Sequence, residues 1–458
     1  VNWLIVFCLI TGLIYVKENK KKSLFSSKVK ILPAKDETVV IKLSPEQKVL
    51  FELMNKEKKC LFITGKAGTG KSLLLKYFKE HTNKVIVVTA PTGVAALNIG
   101  GQTIHSLLKV NPDALDTKTI DFSPESIQLL NSIDSLIIDE VSMVRADLMD
   151  EIDSRLRQVR KNSSPFGGVH LIMFGDLYQL PPVISSPELE EYIKDKYGGP
   201  YFFNAKVWQK CKLTVHELNK VHRQKDEKFV EILNSIRSGH VGRELLNVLN
   251  TRAHFKVPHE GVVTLASTNR LVTNINHKRL SMLKDKEYKY GALIEGNMKP
   301  SEYPTDEVLR LKRGAQVILI KNDKNKRWVN GTIAKIHYLD SNVVRVKIKN
   351  SVYDLEKTTW IKNKYHYNAA EQKVEGIAAS KFTQYPLKLA WAVTVHKSQG
   401  QTYESCSVNI SGGVFAHGQA YVALSRCKSL EGLYLSSPIS LSDITVAPQV
   451  VEFMSNVI

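Results

Sequence analysis

The residues best equipped for chemistry are Gly65-Lys66-Ala67-Gly68-Thr69-Gly70-Lys71-Ser72, a complete G-x-x-x-x-G-K-S phosphate loop. It follows an apolar run (Cys60 to Thr64) and opens an apolar-periodic segment predicted to be helical from Ser72 to about Phe78. Glycines at these positions let backbone N–H groups turn toward the β- and γ-phosphates of a nucleotide, and the helix N-terminus adds favourable partial charge. Lys71 neutralises, and the Ser72 hydroxyl ligates Mg²⁺. Further on, Leu136-Ile137-Ile138-Asp139-Glu140 reads as a strand that ends in two acids. Asp139 is placed to hold the Mg²⁺ through water, and Glu140 to orient and deprotonate an attacking water, since phosphoryl transfer requires positioning and charge neutralisation more than covalent chemistry. The bland alternatives are a Gly-rich turn and a strand capped by solvated acids; the two motifs together favour nucleotide hydrolysis. A third segment, Phe174 to Val183, is a strand end followed by Gln179 in a loop, where a γ-phosphate sensor would sit.

The elements that must position these groups are short continuous apolar strands alternating with helices: Val85 to Thr89, Leu136 to Asp139, Val169 to Phe174, a helix from Phe229 to Arg237 and a run from Val262 to Ala266. That is the pattern of parallel α/β sheets covered on both faces. Ahead of the phosphate loop, Ser44-Pro45-Glu46-Gln47 reads as a helix start running to about Asn55. From Gly331 to about Thr383 β-branched and polar residues alternate without helical period, which predicts a small antiparallel β unit.

Nucleotide hydrolysis alone does not define a function. The further segments do. Ala90-Pro91-Thr92-Gly93-Val94-Ala95-Ala96, Thr103-Ile104-His105-Ser106, Val221-His222-Arg223-Gln224, Val395-His396-Lys397-Ser398-Gln399-Gly400-Gln401-Thr402 and Tyr421-Val422-Ala423-Leu424-Ser425-Arg426 resemble, in order and spacing from about Leu43 to Tyr434, the Pif (petite integration frequency) helicases of superfamily 1B, which are RecD-like. The resemblance implies an ATP- and Mg²⁺-dependent DNA helicase moving 5′ to 3′ on single-stranded DNA, separating duplex DNA, and acting also on G-quadruplexes or RNA–DNA hybrids, with roles in DNA repair, recombination or telomere maintenance. It implies two tandem RecA-like P-loop NTPase lobes with a small SH3-like β insertion in the second. Gln47 matches the residue that reads adenine, Gln179 the γ-phosphate sensor, and Arg223 and Arg426 the second-lobe arginines that reach the γ-phosphate; Gly400 belongs with the nucleotide-binding residues. Thr92, Gly93, His105, Thr394, His396, Lys397 and Ser398 match positions on the DNA-facing side, where hydroxyls, amides and a Lys hold phosphates without reading bases. Gly314-Ala315-Gln316-Val317 and Trp328-Val329-Asn330-Gly331-Thr332 resemble segments leading into the SH3-like barrel. The family's wedge would lie between Leu107 and Glu125, a stretch that reads equally as a bare connection. His222 stands where members often carry Phe or Tyr.

The expected organisation is an apolar N-terminal stretch and Lys-rich linker (1–37), a first lobe (38–212), the first part of a second lobe (213–330), the β insertion (331–384) and the second-lobe remainder (385–458). The chain carries 64 Lys and Arg against 45 Asp and Glu, a net charge of +19, which favours a polyanionic partner. The five cysteines form no C-x-x-C pair, which points to a reducing intracellular compartment (nucleus or mitochondrion in a eukaryote, cytoplasm in a bacterial or viral setting) and no structural metal. No protein partner is indicated, and the expectation is a monomer. Trp3 to Val16 is apolar but would span only about 21 Å as a helix, short for a bilayer, and lacks a cationic region before it. It stands as either an unnatural start of the chain or a membrane-proximal anchor. Two other readings compete: a DNA-binding or remodelling protein of helicase descent that does not unwind, and a membrane-tethered P-loop ATPase with another cargo. The first would fit a missing Glu140 or Arg426, and both are present; the second has no need of the later motifs.

Overall fold

A computed structural model of the chain describes residues 42–57, 59–110, 122–224, 226–258, 260–368, 373–410 and 416–457. Its organising element is a six-stranded, wholly parallel sheet. In chain order the strands are β1 (Cys60–Gly65), β2 (Ile86–Ala90), β3 (Gln102–Thr103), β4 (Ser135–Ile138), β5 (His170–Phe174) and β6 (Leu213–Leu218), arranged β3-β2-β4-β5-β1-β6. The central strands β1, β4 and β5 are buried at every residue, which is why their sequences are unbroken apolar runs rather than alternating ones. Helices cover the sheet, among them Pro45–Lys56, which begins with Pro at its first position as expected, and Lys71–His81 after the phosphate loop.

A second parallel sheet is built from Ala392–Thr394, Val263–Ala266, Cys406–Asn409 and Leu433–Leu435, in that order across the sheet. Its core joins these strands to the helices Glu227–Ser238 and Gln419–Leu424 through Phe229, Ile232, Leu265, Val408, Val422 and Leu433. Two parallel α/β lobes are therefore present, as expected.

Three expectations about boundaries are corrected. Leu213–Leu218, assigned above to the second lobe, pairs in parallel with β1 along its whole length (Cys60 with Leu213 through Gly65 with Leu218) and is the edge of the first sheet. The β unit begins well before 331: Tyr288–Gly291 pairs with Val308–Leu311, and Gln316–Leu319 lies inside a five-stranded antiparallel sheet with Ile333–Leu339, Val344–Ile348, Ser351–Leu355 and Leu387–Leu389. A long hairpin, Thr358–Asn368 with Lys373–Gln384, pairs separately with Leu293–Gly296. Finally, Pro448–Val457 does not extend the second lobe. Ala447, Val450 and Met454 lie in the first lobe's core, where Phe453 stacks on Phe203 at 4.2 Å between ring centroids.

Residues 111–121, at the expected wedge, and the apolar stretch Trp3 to Val16 lie outside the described residues. Among the described residues no helix is long and apolar enough to cross a membrane.

Candidate nucleotide cleft

In parallel α/β sheets functional residues gather beyond the carboxyl ends of the strands, and here the first sheet follows that rule. The phosphate loop leaves β1, Asp139 and Glu140 leave β4, and Asp176 and Gln179 leave β5. The segment after β6 carries His222, Arg223 and Gln224 back over the phosphate loop. A cleft of about 970 Å³ lies at this edge. From the first sheet it is lined by Gly68 through Ser72, Glu140 and Gln179; Arg223, Gly400 and Arg426 line it as well. Residues of both lobes thus meet in one space, as the resemblance implies.

The loop conformation explains its glycines. Gly68 and Gly70 have φ of +85° and +89°, and a Cβ on Gly68 would lie 2.5 Å from the Arg223 Cβ, while one on Gly70 would lie 2.5 Å from the Gln47 side-chain nitrogen. Both positions thus require a residue without a side chain. Lys71 bends back so that Nζ donates to the Gly65 and Lys66 carbonyls at 2.6 and 3.1 Å. Burial lowers its pKa, with Asp176 and Glu140 opposing that shift. Gln47 does not line the cleft. It is buried beneath the loop, its amide nitrogen directed at the Thr69 and Gly70 carbonyls at 3.5 and 3.4 Å.

Opposite the loop sit two acids whose environments disfavour charge. Burial, and then the neighbouring Glu140, push the Asp139 carboxyl up to about 7. Glu140 has φ of +53°, and burial raises its pKa while Lys71 and Arg426 draw it down. Two arginines supply the other half of this imbalance. Arg426 is fully buried, with Nε donating to the Val422 carbonyl (2.8 Å) and Nη2 to the Ser425 hydroxyl (2.9 Å). Arg223 donates to the Ser425 carbonyl at 3.3 Å, and burial together with Arg426 lowers its pKa to about 9. Two mutually repelling guanidinium groups, one buried and one half-buried, beside a half-buried lysine make a site that an incoming polyphosphate relieves.

The second lobe also touches the phosphate loop directly. The Ala67 N–H donates to the Tyr421 hydroxyl at 2.9 Å and the His222 N–H donates to the Gly68 carbonyl at 2.9 Å, while Gln224 ties the segment of His222 to the Ser425 and Cys427 carbonyls. Sequence reasoning assigns no role to Tyr421, Gln224, Asp176 or Arg237; the signal available was the place of the first three inside quoted motifs, whereas Arg237 stands only at the end of a predicted helix.

The residues expected on the DNA side also follow strand ends. Thr92 caps the helix Gly93–Asn98 by accepting from the Ala95 N–H (3.2 Å), and a Cβ on Gly93 would meet Glu302 at 3.2 Å. His105 lies in the short helix after β3. Thr394 and Ser398 are buried and hydrogen-bonded within their own turn, to the Lys397 N–H and the Val395 carbonyl, whereas His396 and Lys397 are exposed. The two hydroxyl residues thus hold the turn that presents the other two.

Residues 42–245 match the family described as PIF1-like helicase. A curated ATP-dependent DNA helicase Pif1 from Bdellovibrio bacteriovorus is 30% identical over 90% of this chain and 92% of its own length. The chain belongs to the PIF1-like helicase family. Another relative, the ATP-dependent DNA helicase PIF1 of Rattus norvegicus, is 35% identical over 86% of the chain, which spans 61% of that relative's length. The crystal structure of Bacteroides sp Pif1 in complex with ADP-AlF4 superposes with a TM-score of 0.84 at 35% identity, covering 91% of this chain and 97% of that one. Bacteroides Pif1 bound to ssDNA, at the same identity and coverage, gives 0.67. PIF1-like helicases thus share this chain's fold, two RecA-like lobes with a β insertion, and the arrangement here is nearer to that of the ADP-AlF4 complex than to that of the ssDNA-bound form.

Proposed function

We propose that this chain is an ATP-dependent DNA helicase that translocates 5′ to 3′ on single-stranded DNA and separates duplex DNA. The observation that carries the reading is the composition of the cleft, in which Lys71, Glu140 and Gln179 from one sheet face Arg223 and Arg426, so that the hydrolytic set is complete only when both lobes contribute. The names of the relatives support the reading, as do the ADP-AlF4 and ssDNA complexes of Bacteroides Pif1.

In this mechanism the phosphate-loop amides and Lys71 bind the phosphates. The loop fits that role because its glycine positions exclude a Cβ and its half-buried lysine is held by the loop's own carbonyls, facing the cleft. Ser72 and Asp139 would hold Mg²⁺, which would supply neutralisation of the phosphate oxygens; both follow directly on the elements that end at the cleft, Ser72 in the helix after the phosphate loop and Asp139 after β4. Glu140 takes the proton of the attacking water, a task suited to a carboxylate whose basicity is raised by burial. Arg223 and Arg426 stabilise charge on the transferring phosphoryl group, and since they join the set with the second lobe, turnover depends on lobe closure. Lys397 and His396 contact the DNA backbone, with Thr92, Gly93, His105, Thr394 and Ser398 shaping that surface, and the +19 charge favours the polyanion. G-quadruplexes and RNA–DNA hybrids are further substrates under this reading.

The test is ATP hydrolysis by the full chain with and without single-stranded DNA, beside Lys71→Ala. DNA stimulation abolished by Lys71→Ala supports the motor. Hydrolysis indifferent to DNA points to another cargo, and tight DNA binding without hydrolysis to a passive binder.

A further inference from the structure

Arg237 lies in the last turn of the helix Glu227–Ser238, whose apolar face is part of the second lobe's core. Its guanidinium leaves that lobe and enters the first. Nε and Nη2 donate to Asp176 Oδ1 at 3.3 and 3.1 Å, Nη2 also donates to Glu217 Oε1 at 3.0 Å, and the group lies 4.3 Å from the centroid of the Tyr178 ring. The Asp176 side chain is 0% exposed, and its other oxygen, Oδ2, accepts from Gln179 Nε2 at 3.1 Å. One carboxylate is therefore divided between the two lobes, with one oxygen on the second-lobe arginine and the other on the residue placed at the γ-phosphate.

This division has a chemical consequence for Gln179. A side-chain amide presents a donor face and an acceptor face of nearly equal shape, and nothing but its partners decides which way it points. With one Nε2 hydrogen held by Asp176, the second hydrogen and Oε1 remain for the cleft that Gln179 lines, a donor for a phosphate oxygen and an acceptor for a water hydrogen. Asp176 can hold that hydrogen only if its carboxyl group stays in place, and a side chain buried this deeply is fixed by the partners that bond its other oxygen. The cation that hydrogen-bonds it, Arg237, comes from the second lobe.

We propose that Arg237, acting through Asp176, is a positioning residue that sets the Gln179 amide for phosphoryl transfer, so that this sensor is armed only when the second lobe is seated on the first. The assignment rests on the ATP-hydrolysing reading of the cleft. It differs from a simple inter-lobe tie in its dependence on Gln179: once Gln179 is removed, Arg237 has nothing further to contribute to the reaction.

The experiment is a double-mutant cycle on the full chain with Gln179→Ala, Arg237→Gln and the pair, each checked by thermal melting. Arg237→Gln is expected to lower kcat for ATP hydrolysis about tenfold while KM for ATP changes less than about twofold, and the double variant to be no slower than Gln179→Ala alone within about twofold. In the same proteins without DNA, affinity for ADP with aluminium fluoride falls by a similar factor in both single variants, and affinity for ADP alone is retained. Losses that multiply in the double variant, an unchanged kcat in Arg237→Gln, or equal losses of ADP and ADP–aluminium fluoride binding overturn the proposal. Should Arg237→Gln melt out, Asp176→Asn, which keeps the side-chain shape, is carried through the same cycle with the same criteria. Because the binding measurements need no DNA, a wild type that lacks DNA stimulation defeats the helicase reading while the affinity pair still decides the role of Arg237.

Discussion

Changing Tyr421 to Phe deletes a single oxygen atom, and the structure locates its cost. That oxygen accepts the Ala67 N–H at 2.9 Å, and both residues are buried, at 3% and 7% exposure. In the variant a buried amide hydrogen of the phosphate loop has no acceptor, a loss of about 1–3 kcal/mol, or about 5- to 150-fold in an equilibrium constant. The donor belongs to the first lobe and the acceptor to the second. Wherever the lobes part, water replaces the phenol, so the cost falls on the closed arrangement alone. ATP binding, which draws on that arrangement through Arg223 and Arg426, should therefore weaken by a factor within this range, whereas binding of single-stranded DNA in the absence of nucleotide should change little. Calorimetric titration of a non-hydrolysable ATP analogue into the full-chain Tyr421→Phe variant measures this. An affinity within about twofold of wild type would refute the claim that the hydroxyl braces the loop.

Gly68→Ala forces a side chain into a left-handed conformation 2.5 Å from the Arg223 Cβ, and kcat/KM for ATP should drop by about 100-fold or more as loop and arginine separate; steady-state kinetics showing less than tenfold would count against this packing. Burial, followed by Lys84, lowers the His170 pKa from 6.5 to about 4. Between those values the unfolded chain binds more protons, so stability present above pH 6.5 is lost toward pH 4, by at most about 3 kcal/mol. A His170→Phe variant should show a flatter acid limb in urea midpoints between pH 7 and 4, and parallel profiles would contradict it. Phe453→Ala removes the ring stacked on Phe203 and should destabilise the first lobe by about 2–4 kcal/mol in thermal melting, with ATP affinity unchanged. An unaltered melt would mean that the helix Pro448–Val457 adds nothing to that core.

The phosphate loop, the Asp139–Glu140 strand end and the two α/β lobes were legible because each rests on local signals: glycines at fixed offsets, and apolar runs long enough to be central strands. The edge strand Leu213–Leu218 carried no such signal. It is partly exposed through most of its length and mixes Thr, His and Glu with aliphatics, so only its pairing with β1, far away in sequence, assigns it to a lobe. The β unit begins earlier than its alternation suggests because Gln316–Leu319 is a fully buried apolar strand without alternation, unlike the strands from Ile333 onward that face solvent on one side. Asp176 stands inside a quoted segment and Arg237 at the end of a predicted helix, yet their ion pair joins residues on different lobes and no spacing rule reports it. For Gln47, Thr394 and Ser398 the residue types suit ligand contact, while no sequence rule reports the backbone hydrogen bonds that each also makes in its own turn or loop.

The return of Pro448–Val457 to the first lobe makes the second lobe an excursion rather than an appendage, one that leaves after Leu218 and rejoins before Ala447. Two covalent crossings, instead of one, connect the moving parts. Two bodies joined at two points keep essentially one easy rotation, about the line through those points, while sliding and free tumbling are suppressed. A force applied near the helix Pro448–Val457 is then carried into the first lobe without passing through the nucleotide cleft, so a surface tether at that end should leave the stroke of the second lobe unloaded.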